Sequence, residues 1–303
     1  METTNNFLLK LLEKVGEIYA PTTTTKLGRP YAFSELVMLQ VFLPMILKKI
    51  KRFTALYSYL QAHLEARATC GLERMPDDET IRKPLKKLAP TLKLRIQTWR
   101  EEVIKQTTTC PEVVAVDKKM IQAQGPLWHQ ADRVKGQIPQ RLRDVDCDSS
   151  WSVSAYRGWV QDYGSHVTVN ATAGGAIIPI RAEVATNSKA DAKVAAELKE
   201  NLPSHTRRAL GDEAYDDPKL HAGIKRYEND LLTRCLLVPK EVNKRTPSRR
   251  QREADRYRCD REIYRRRSVS IEPFFDRLDQ VFDVEPAWMK GLVNNCSLLW
   301  VTG

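Results

Sequence analysis

The sequence lacks the residue patterns that mark several common classes of protein. Its six cysteines are scattered without a C-x-x-C pair, which argues against a structural zinc site and fits a reduced, cytosolic chain with incidental thiols. Its histidines form no H-E-x-x-H motif or other paired spacing, so a zinc hydrolase is not indicated. The P-loop pattern G-x-x-x-x-G-K-[ST] is absent, and no serine or cysteine lies in a nucleophile-elbow motif.

Long apolar runs are also missing. A membrane-spanning helix needs roughly 18 uninterrupted apolar residues, and the best candidate, residues 36–47, is short and contains Gln40 and Pro44. The amino-terminal segment carries Glu2, Glu13 and Glu17 and has no signal-peptide profile. We therefore expect no membrane partner and a cytoplasmic location.

Positive charge is what the chain has in excess. It carries 49 Lys and Arg against 38 Asp and Glu, which gives a net charge of +11 and an isoelectric point near 9.3. With 303 residues, of which 42% are hydrophobic, it is long enough to bury the core of one large domain or two. A basic excess of this kind favours nucleic acid or an anionic membrane over a small neutral substrate.

The residue patterns divide the chain into two regions. In residues 1–107, apolar side chains recur at spacings of three and four over 7–18 and 36–59, and acids at 77–80 open a further helix, so this region is predicted to be all-helical. A polar run that ends in Pro111 marks the boundary. Residues 111–303 follow the order strand, hairpin, helix, strand, helix, strand, helix, which predicts a mixed α/β fold with a central sheet.

Short apolar runs locate the strands of the second region. The predicted strands are 113–117, 166–171, 176–180, 208–212 and 234–238, and the predicted helices between them are 188–200 and 218–227. The second and third strands flank a turn at 173–175 and form a hairpin. The long polar segment 118–157 is interpreted as an insertion, and core packing is the expected role of its Trp128 and Trp151 and of Trp159 just beyond it.

Two aspartates follow predicted strands of this region directly. Asp117 and Asp212 each end an apolar run, and the carboxyl ends of strands are where open α/β sheets place their ligands. Glu272 lies further on, at a predicted helix start. Hard carboxylate oxygens suit Mg²⁺, and two such ions about 3.5–4 Å apart can activate one oxygen and stabilise another in phosphodiester chemistry. The alternative is that these acids are solvated strand ends, helix caps or ion-pair partners.

An arginine-rich stretch precedes the glutamate. Residues 240–267 contain 12 Lys or Arg against five acids. A charge run of this kind is often a solvated helix face, but its excess of one sign beside Glu272 favours neutralisation of nucleic-acid phosphates.

Taken in order, these motifs resemble the DDE transposases of bacterial and archaeal insertion sequences, in the group with a Tyr/Arg/Glu/Lys signature around the third acid. The resemblance covers roughly residues 110–303 and rests on the segments 114–117, 185–191, 210–216 and 272–278. It implies an RNase H-like fold, endonuclease cleavage at the ends of an insertion sequence and strand transfer in DNA transposition and recombination. It also implies catalytic, metal-binding roles for Asp117, Asp212 and Glu272, with two Mg²⁺ (or Mn²⁺) ions.

The resemblance further implies how the chain meets DNA. The residues expected to bind DNA are Arg261, Tyr264, Arg265, Arg266 and Arg267. The implied partner is double-stranded DNA, as terminal inverted repeats and as target, bound by a homodimer in the cytoplasm at the nucleoid. The helical region 1–107 is expected to bind DNA ends or to mediate dimerisation.

The chain departs from the signature at several positions. Counted from Glu272, the signature expects Tyr, Arg and Lys at 265, 268 and 279, where this chain has Arg265, Ser268 and Asp279. Tyr264 and Arg267 each stand one position early, and Pro273 falls in the helix that carries the glutamate. Two alternatives therefore stay open: an RNase H-fold nuclease without strand transfer, and an inactive or domesticated DNA-binding protein.

Overall fold

The fold was analysed in a computed structural model. It describes residues 2–18, 33–77, 79–81, 98–99, 102–104, 112–140, 142–154, 156–171, 176–186, 191, 193–194, 202–203, 206–215, 234–237 and 261–296. The predicted helix 218–227, the turn 173–175 and most of the arginine-rich stretch lie outside these residues, as does nearly all of the predicted helix 188–200.

The described part of the amino-terminal region is helical, as predicted, and four of its helices have defined bounds. They are α1 (Glu2–Ile18), α2 (Glu35–Leu47), α3 (Phe53–Ala62) and α4 (Leu64–Thr69). The run predicted from 36 to 59 breaks between α2 and α3, where Lys49 has a positive φ of 55°. The Ser34 hydroxyl accepts a hydrogen bond from the N–H of Val37 and begins α2. Residues 38–46 of α2 are all buried, because the helix is apolar on every side.

The helical region shares its core with the end of the chain. Trp288 and Met289 belong to the same buried cluster as the apolar side chains of α1 and α2. Lys49 Nζ donates to the carbonyl oxygen of Gln280 at 2.7 Å, and Lys51 Nζ pairs with Asp283 Oδ2 at 2.7 Å. The two predicted regions therefore pack against each other, while the boundary at 107–111 stays a prediction.

A six-stranded mixed sheet forms the centre of the second region. Its strands are β1 (Val113–Gln122), β2 (Ser150–Ser154), β3 (Gly158–Asn170), β4 (Pro179–Thr186), β5 (Arg208–Gly211) and β6 (Arg234–Leu237). The order across the sheet is β2-β3-β1-β5-β6, and β4 also pairs with β3. The pairs β1–β3, β2–β3 and β3–β4 are antiparallel, whereas β1–β5 and β5–β6 are parallel. The expected mixed α/β class with a hairpin and two later strands is confirmed.

Several sequence expectations about this sheet were wrong in their bounds. The first strand does not end at Asp117 but continues to Gln122, because β3 is long enough to pair with it along that whole length. The strands predicted at 166–171 and 176–180 are β3, which begins earlier at Gly158, and β4, which begins later at Pro179.

The polar segment 118–157 is only partly an insertion, since its residues 150–154 form the strand β2 against the start of β3. Polar residues are tolerated in β2 because, among the described strands, it lies at an edge of the sheet.

Three further helices are described: α5 (Gln130–Val134), α6 (Arg261–Arg265) and α7 (Ile271–Phe282). Helix α7 packs on one face of the sheet, where Ile271 is buried with Ala115 and Leu210. At its other end Leu278 joins Tyr163 and Ile121 in a second buried cluster. Helix α7 thus runs across the face of β1 that carries the odd-numbered side chains. None of the described helices is both long and apolar enough to cross a membrane.

The three tryptophans in and just beyond the predicted insertion have different surroundings. Trp128 is buried, and its indole N–H donates to the Gln137 carbonyl, while that of Trp151 donates to the Trp128 carbonyl. Core packing is confirmed for Trp128 and fits Trp151. Trp159 is 70% exposed, so core packing was wrong for it, because it lies at the free end of the β2–β3 hairpin.

Candidate active site

Strand pairing brings the first two aspartates to one level of the sheet. In the parallel pair β1–β5, Val113 lies opposite Arg208 and Ala115 opposite Leu210. Two residues further along, each strand reaches its aspartate, Asp117 or Asp212. Because side chains alternate between faces with a period of two, Asp117 lies on the face of the sheet that Ala115 and Leu210 share. Asp212 follows the end of β5, close enough for its charge to act on Asp117. The face that carries Asp117 is the one covered by α7.

Helix α7 brings the glutamate to the same face. Its N-cap residue is Ser270, so Ile271, Glu272 and Pro273 form the first turn. Proline is tolerated in a first turn, because the N–H it lacks has no partner within the helix, and α7 runs without a break from Ile271 to Phe282. Ile271 is fully buried against the sheet, whereas the side chain of Glu272 is 61% exposed beside the aspartates.

Arg267 joins the acids. Its Nη2 lies 2.5 Å from Asp117 Oδ2, and its Nη1 lies 4.0 Å from Glu272 Oε1. The arginine side chain is only 13% exposed. The N–H of Ile271 donates to the Arg267 carbonyl at 2.9 Å, which ties the arginine to the start of α7. Arg267 therefore faces the carboxylates in this structure and not the solvent.

The electrostatics of Asp117 reflect a concentration of negative charge. The pKa of its carboxyl is raised to about 6 from an ordinary 3.8; burial is the largest cause, and the nearby charges of Asp212 and Glu272 act in the same direction. The Arg267 guanidinium and the backbone N–H of Lys118 act in the opposite direction on this pKa. Three carboxylates thus influence one another at a partly buried place, which is the arrangement that favours a bound cation.

The carboxylates of Asp117, Asp212 and Glu272 are suitable ligands for a divalent cation, but their present positions do not form a metal site. Within the described residues, no three acidic, histidine or cysteine side chains are placed to hold a metal ion together. Both oxygens of Asp117 are in use: Oδ1 accepts from the Lys118 N–H at 2.8 Å and Oδ2 from Arg267. Asp212 Oδ1 accepts from the Ala214 N–H at 2.9 Å. Arg267 supplies the positive charge that the acids need, so a cation would replace it there.

A buried polar network lies on the opposite face of β1. His166 Nδ1 is 3.1 Å from the hydroxyl of Tyr215, and Lys118 Nζ is 2.9 Å from Asp191 Oδ1. Tyr215 is fully buried in the short 3₁₀ helix that follows Asp212, and burial raises its pKa well above the ordinary value. The network anchors the segment after Asp212 to the sheet. Sequence reasoning treated His166 as isolated, because only the β1–β3 pairing places it beside Tyr215.

The five residues expected to bind DNA differ in their solvent exposure and in their contacts. Arg261 is exposed and Arg266 half-buried, Arg265 Nη1 pairs with Glu262 Oε1 at 2.6 Å, and Tyr264 packs against the buried cluster of β1 and β5. Nothing in these positions tests DNA binding, which stays a prediction for all five. Tyr264 reaches the core because it lies on the side of α6 that faces the sheet.

Asp279, at the position of the signature lysine, has a lysine as its partner. Lys119 Nζ lies 2.6 Å from Asp279 Oδ2. Sequence reasoning passed over Lys119, because the predicted strand ended at Asp117 and only the longer β1 puts Lys119 on the same face. The positive charge that α7 lacks at position 279 is thus present on β1.

We expect the cation-free protein to lose stability as the pH rises from 4 to 7. The pKa of Asp117 is raised in the folded state, so its contribution to stability is fully present below the ordinary 3.8 and is lost as the pH rises through about 6. A pKa difference of about two corresponds to about 3 kcal/mol. Urea denaturation of the wild type and Asp117→Asn in EDTA, at several pH values, would measure this. Equal pH dependence of the two proteins would contradict it.

Comparison with known proteins identifies one family. A family model described as the transposase DDE domain matches residues 108–300. This match confirms the resemblance carried by the motifs. A search of curated proteins gives no match.

Two solved structures that are similar to this chain contain Mos1. One is a Mos1 strand transfer complex (11% identity, TM-score 0.22, covering 95% of this chain and 82% of that one). The other is a pre-cleavage Mos1 transpososome (10% identity, TM-score 0.22, 95% and 83%).

Proposed function

Because the chain belongs to the transposase DDE domain family and acts as a DNA transposase, we propose that Asp117, Asp212 and Glu272 hold two divalent metal ions, Mg²⁺ or Mn²⁺, at its catalytic site. The observation that carries this proposal is the β1–β5 register, which pairs Ala115 with Leu210 two residues before each aspartate. The contacts of Arg267 with both Asp117 and Glu272 support a common position for the first and third acids. Bound divalent ions polarise phosphoryl oxygens and activate an attacking oxygen.

The chain's own residues hold and orient the DNA in this scheme. Asp117, Asp212 and Glu272 would hold the ions between them. In the DNA-free protein Arg267 contacts Asp117 and Glu272, and with the ions bound it would be free to contact a backbone phosphate near the cut. Its planar guanidinium suits both partners, because it donates two parallel hydrogen bonds to a carboxylate or to a phosphate.

The proposed partner is double-stranded DNA, as the terminal inverted repeats of the element and as target. The net charge of +11 and the cations of α6 support contacts with phosphates. We also propose a homodimer on DNA, a cytoplasmic, nucleoid-associated location, and binding of DNA ends by the helices α1–α4.

Cleavage of DNA that carries the flanking ends of the protein's own gene tests the function. With Mg²⁺ or Mn²⁺ we expect cuts at the ends followed by joined strands. We expect both products to vanish with Asp212→Ala, because one ligand of a metal is lost. The matched control is Asp276→Ala, an exposed acid on α7, which should cut like the wild type.

The products also separate the alternatives. Cut strands without joined ones would mean a nuclease on the same fold. DNA binding without cutting, in the wild type as in Asp212→Ala, would mean an inactive DNA-binding protein. Equal cutting by the wild type and Asp212→Ala would remove Asp212 from the metal site.

A further inference from the structure

Two adjacent lysines of β1 point to opposite faces of the sheet. Lys118 Nζ is 2.9 Å from Asp191 Oδ1, on the face with His166, and its side chain is 20% exposed. Lys119 Nζ is 2.6 Å from Asp279 Oδ2 of α7, and its side chain is 13% exposed. The two lysines are similar in burial, and each has a carboxylate partner. They lie on opposite faces of the sheet, and only Lys119 lies on the face of Asp117.

The pair formed by Lys119 and Asp279 is a neighbour of the proposed metal site. Along β1, Lys119 is two residues beyond Asp117, a distance of about 7 Å. Along α7, Asp279 is seven residues beyond Glu272, which is two turns or about 10.5 Å on the same side of the helix. Along both β1 and α7, an acid of the proposed metal site therefore comes first and a partner of the ion pair follows it. A DNA strand bound at the acids and running along this seam would meet Lys119 next.

The ion pair between Lys119 and Asp279 can be separated at a low cost in free energy. Asp279 is 44% exposed, and its second oxygen, Oδ1, is buried with no hydrogen-bond partner in the described part of the chain. A partly exposed pair contributes at most about 1 kcal/mol to stability. A backbone phosphodiester carries one negative charge, as a carboxylate does, but its contact with an ammonium group also releases counterions from the DNA, which favours the exchange of partners.

We propose that Lys119 binds a backbone phosphate of the DNA next to the one being cut, and that Asp279 holds the ammonium group in place until DNA displaces it. The inference rests on the proposed function, because it takes DNA as the ligand of this face. Lys119 is a DNA-positioning residue here. The positive charge missing from position 279 of the helix is supplied from the strand.

The two partners of the pair should have opposite effects on DNA binding. Lys119→Met removes one phosphate contact, so DNA affinity should fall about three- to tenfold, and the slope of log affinity against log salt should become shallower by about one. Asp279→Asn removes the competing carboxylate, so affinity should rise. Lys118→Met, the matched control, loses an ion pair of similar burial on the other face and should leave the salt slope unchanged.

Fluorescence anisotropy measures these effects with the full chain and a labelled double-stranded oligonucleotide between about 50 and 200 mM salt. The double variant Lys119→Met, Asp279→Lys provides a further test. It places an ammonium group on α7 in place of the one removed from β1, so the slope of log affinity against log salt should return to the wild-type value. If the pair were only structural, Lys119→Met and Asp279→Asn would lower stability together and leave the slope as it is.

The outcomes distinguish this inference from the function it rests on. Metal-dependent cleavage by the wild type, with an unchanged slope in Lys119→Met, would overturn the role of Lys119 and leave the function standing. A wild type that binds no DNA would overturn both. A slope reduced equally in Lys118→Met and Lys119→Met would also overturn the assignment, because it would not be specific to the face of Asp117.

Discussion

Asp117→Asn is expected to reduce strand cleavage and joining by on the order of a thousandfold or more while DNA binding survives. Changes in the shell around metal ligands already cost about 10–100-fold, and this change removes the charge of a ligand itself. Asparagine keeps the size of the side chain, and its amide oxygen can still accept from the N–H of Lys118. The loss of activity is therefore expected to come from weaker metal binding and not from a change in the fold. The measurement compares cleavage rates in Mg²⁺ with DNA affinity in the absence of divalent ions.

The matched control for this prediction is Asp276→Asn. Asp276 is an exposed acid of α7, so the same change of one charge should leave both cleavage and affinity near the wild-type values. Loss of DNA binding in Asp117→Asn would count against the assignment, since it would mean that the aspartate acts through the fold. Retained cleavage would remove Asp117 from the catalytic site.

Arg267→Met is expected to destabilise the cation-free protein by about 3 kcal/mol or more. Methionine keeps the apolar stem but removes the charge, which leaves the buried carboxylate of Asp117 beside two other acids. Breaking a buried ion pair by removing one partner costs about 3–5 kcal/mol. Because the Arg267 charge holds the pKa of Asp117 down, its removal raises that pKa further. The loss of stability should accordingly be larger at pH 8 than at pH 5.

A divalent cation should reverse most of this loss. If the acids form a metal site, Mn²⁺ added to Arg267→Met replaces the missing charge, and it should stabilise this variant more than the wild type, where Arg267 competes with it. Urea denaturation with Mn²⁺ or EDTA gives both free energies of unfolding. Arg265→Met, at an exposed ion pair of α6, is the control and should cost little. A loss unaffected by Mn²⁺ in Arg267→Met would contradict the metal site.

The local sequence predicted the strands and their acids with useful accuracy. The apolar runs before Asp117 and Asp212 became β1 and β5, and the run at 234–238 became β6, because short Val- and Leu-rich segments favour buried strands. The local sequence did not predict the end of β1, because pairing between strands decides how far that strand extends. Lys118 to Gln122 looks polar, yet it continues β1 because β3 offers a hydrogen-bonding partner along its length.

The sequence by itself determined which residue types are available: three acids, an arginine beside the third, and a basic chain that suits DNA. Only the tertiary structure decided which of them meet. The parallel pairing of β1 with β5 sets Asp117 level with Asp212, and the packing of α7 brings Arg267 to Asp117 and Asp279 to Lys119. The physical reason is that pairing and packing join residues far apart in the chain, whereas periodicity and propensity report only on neighbours.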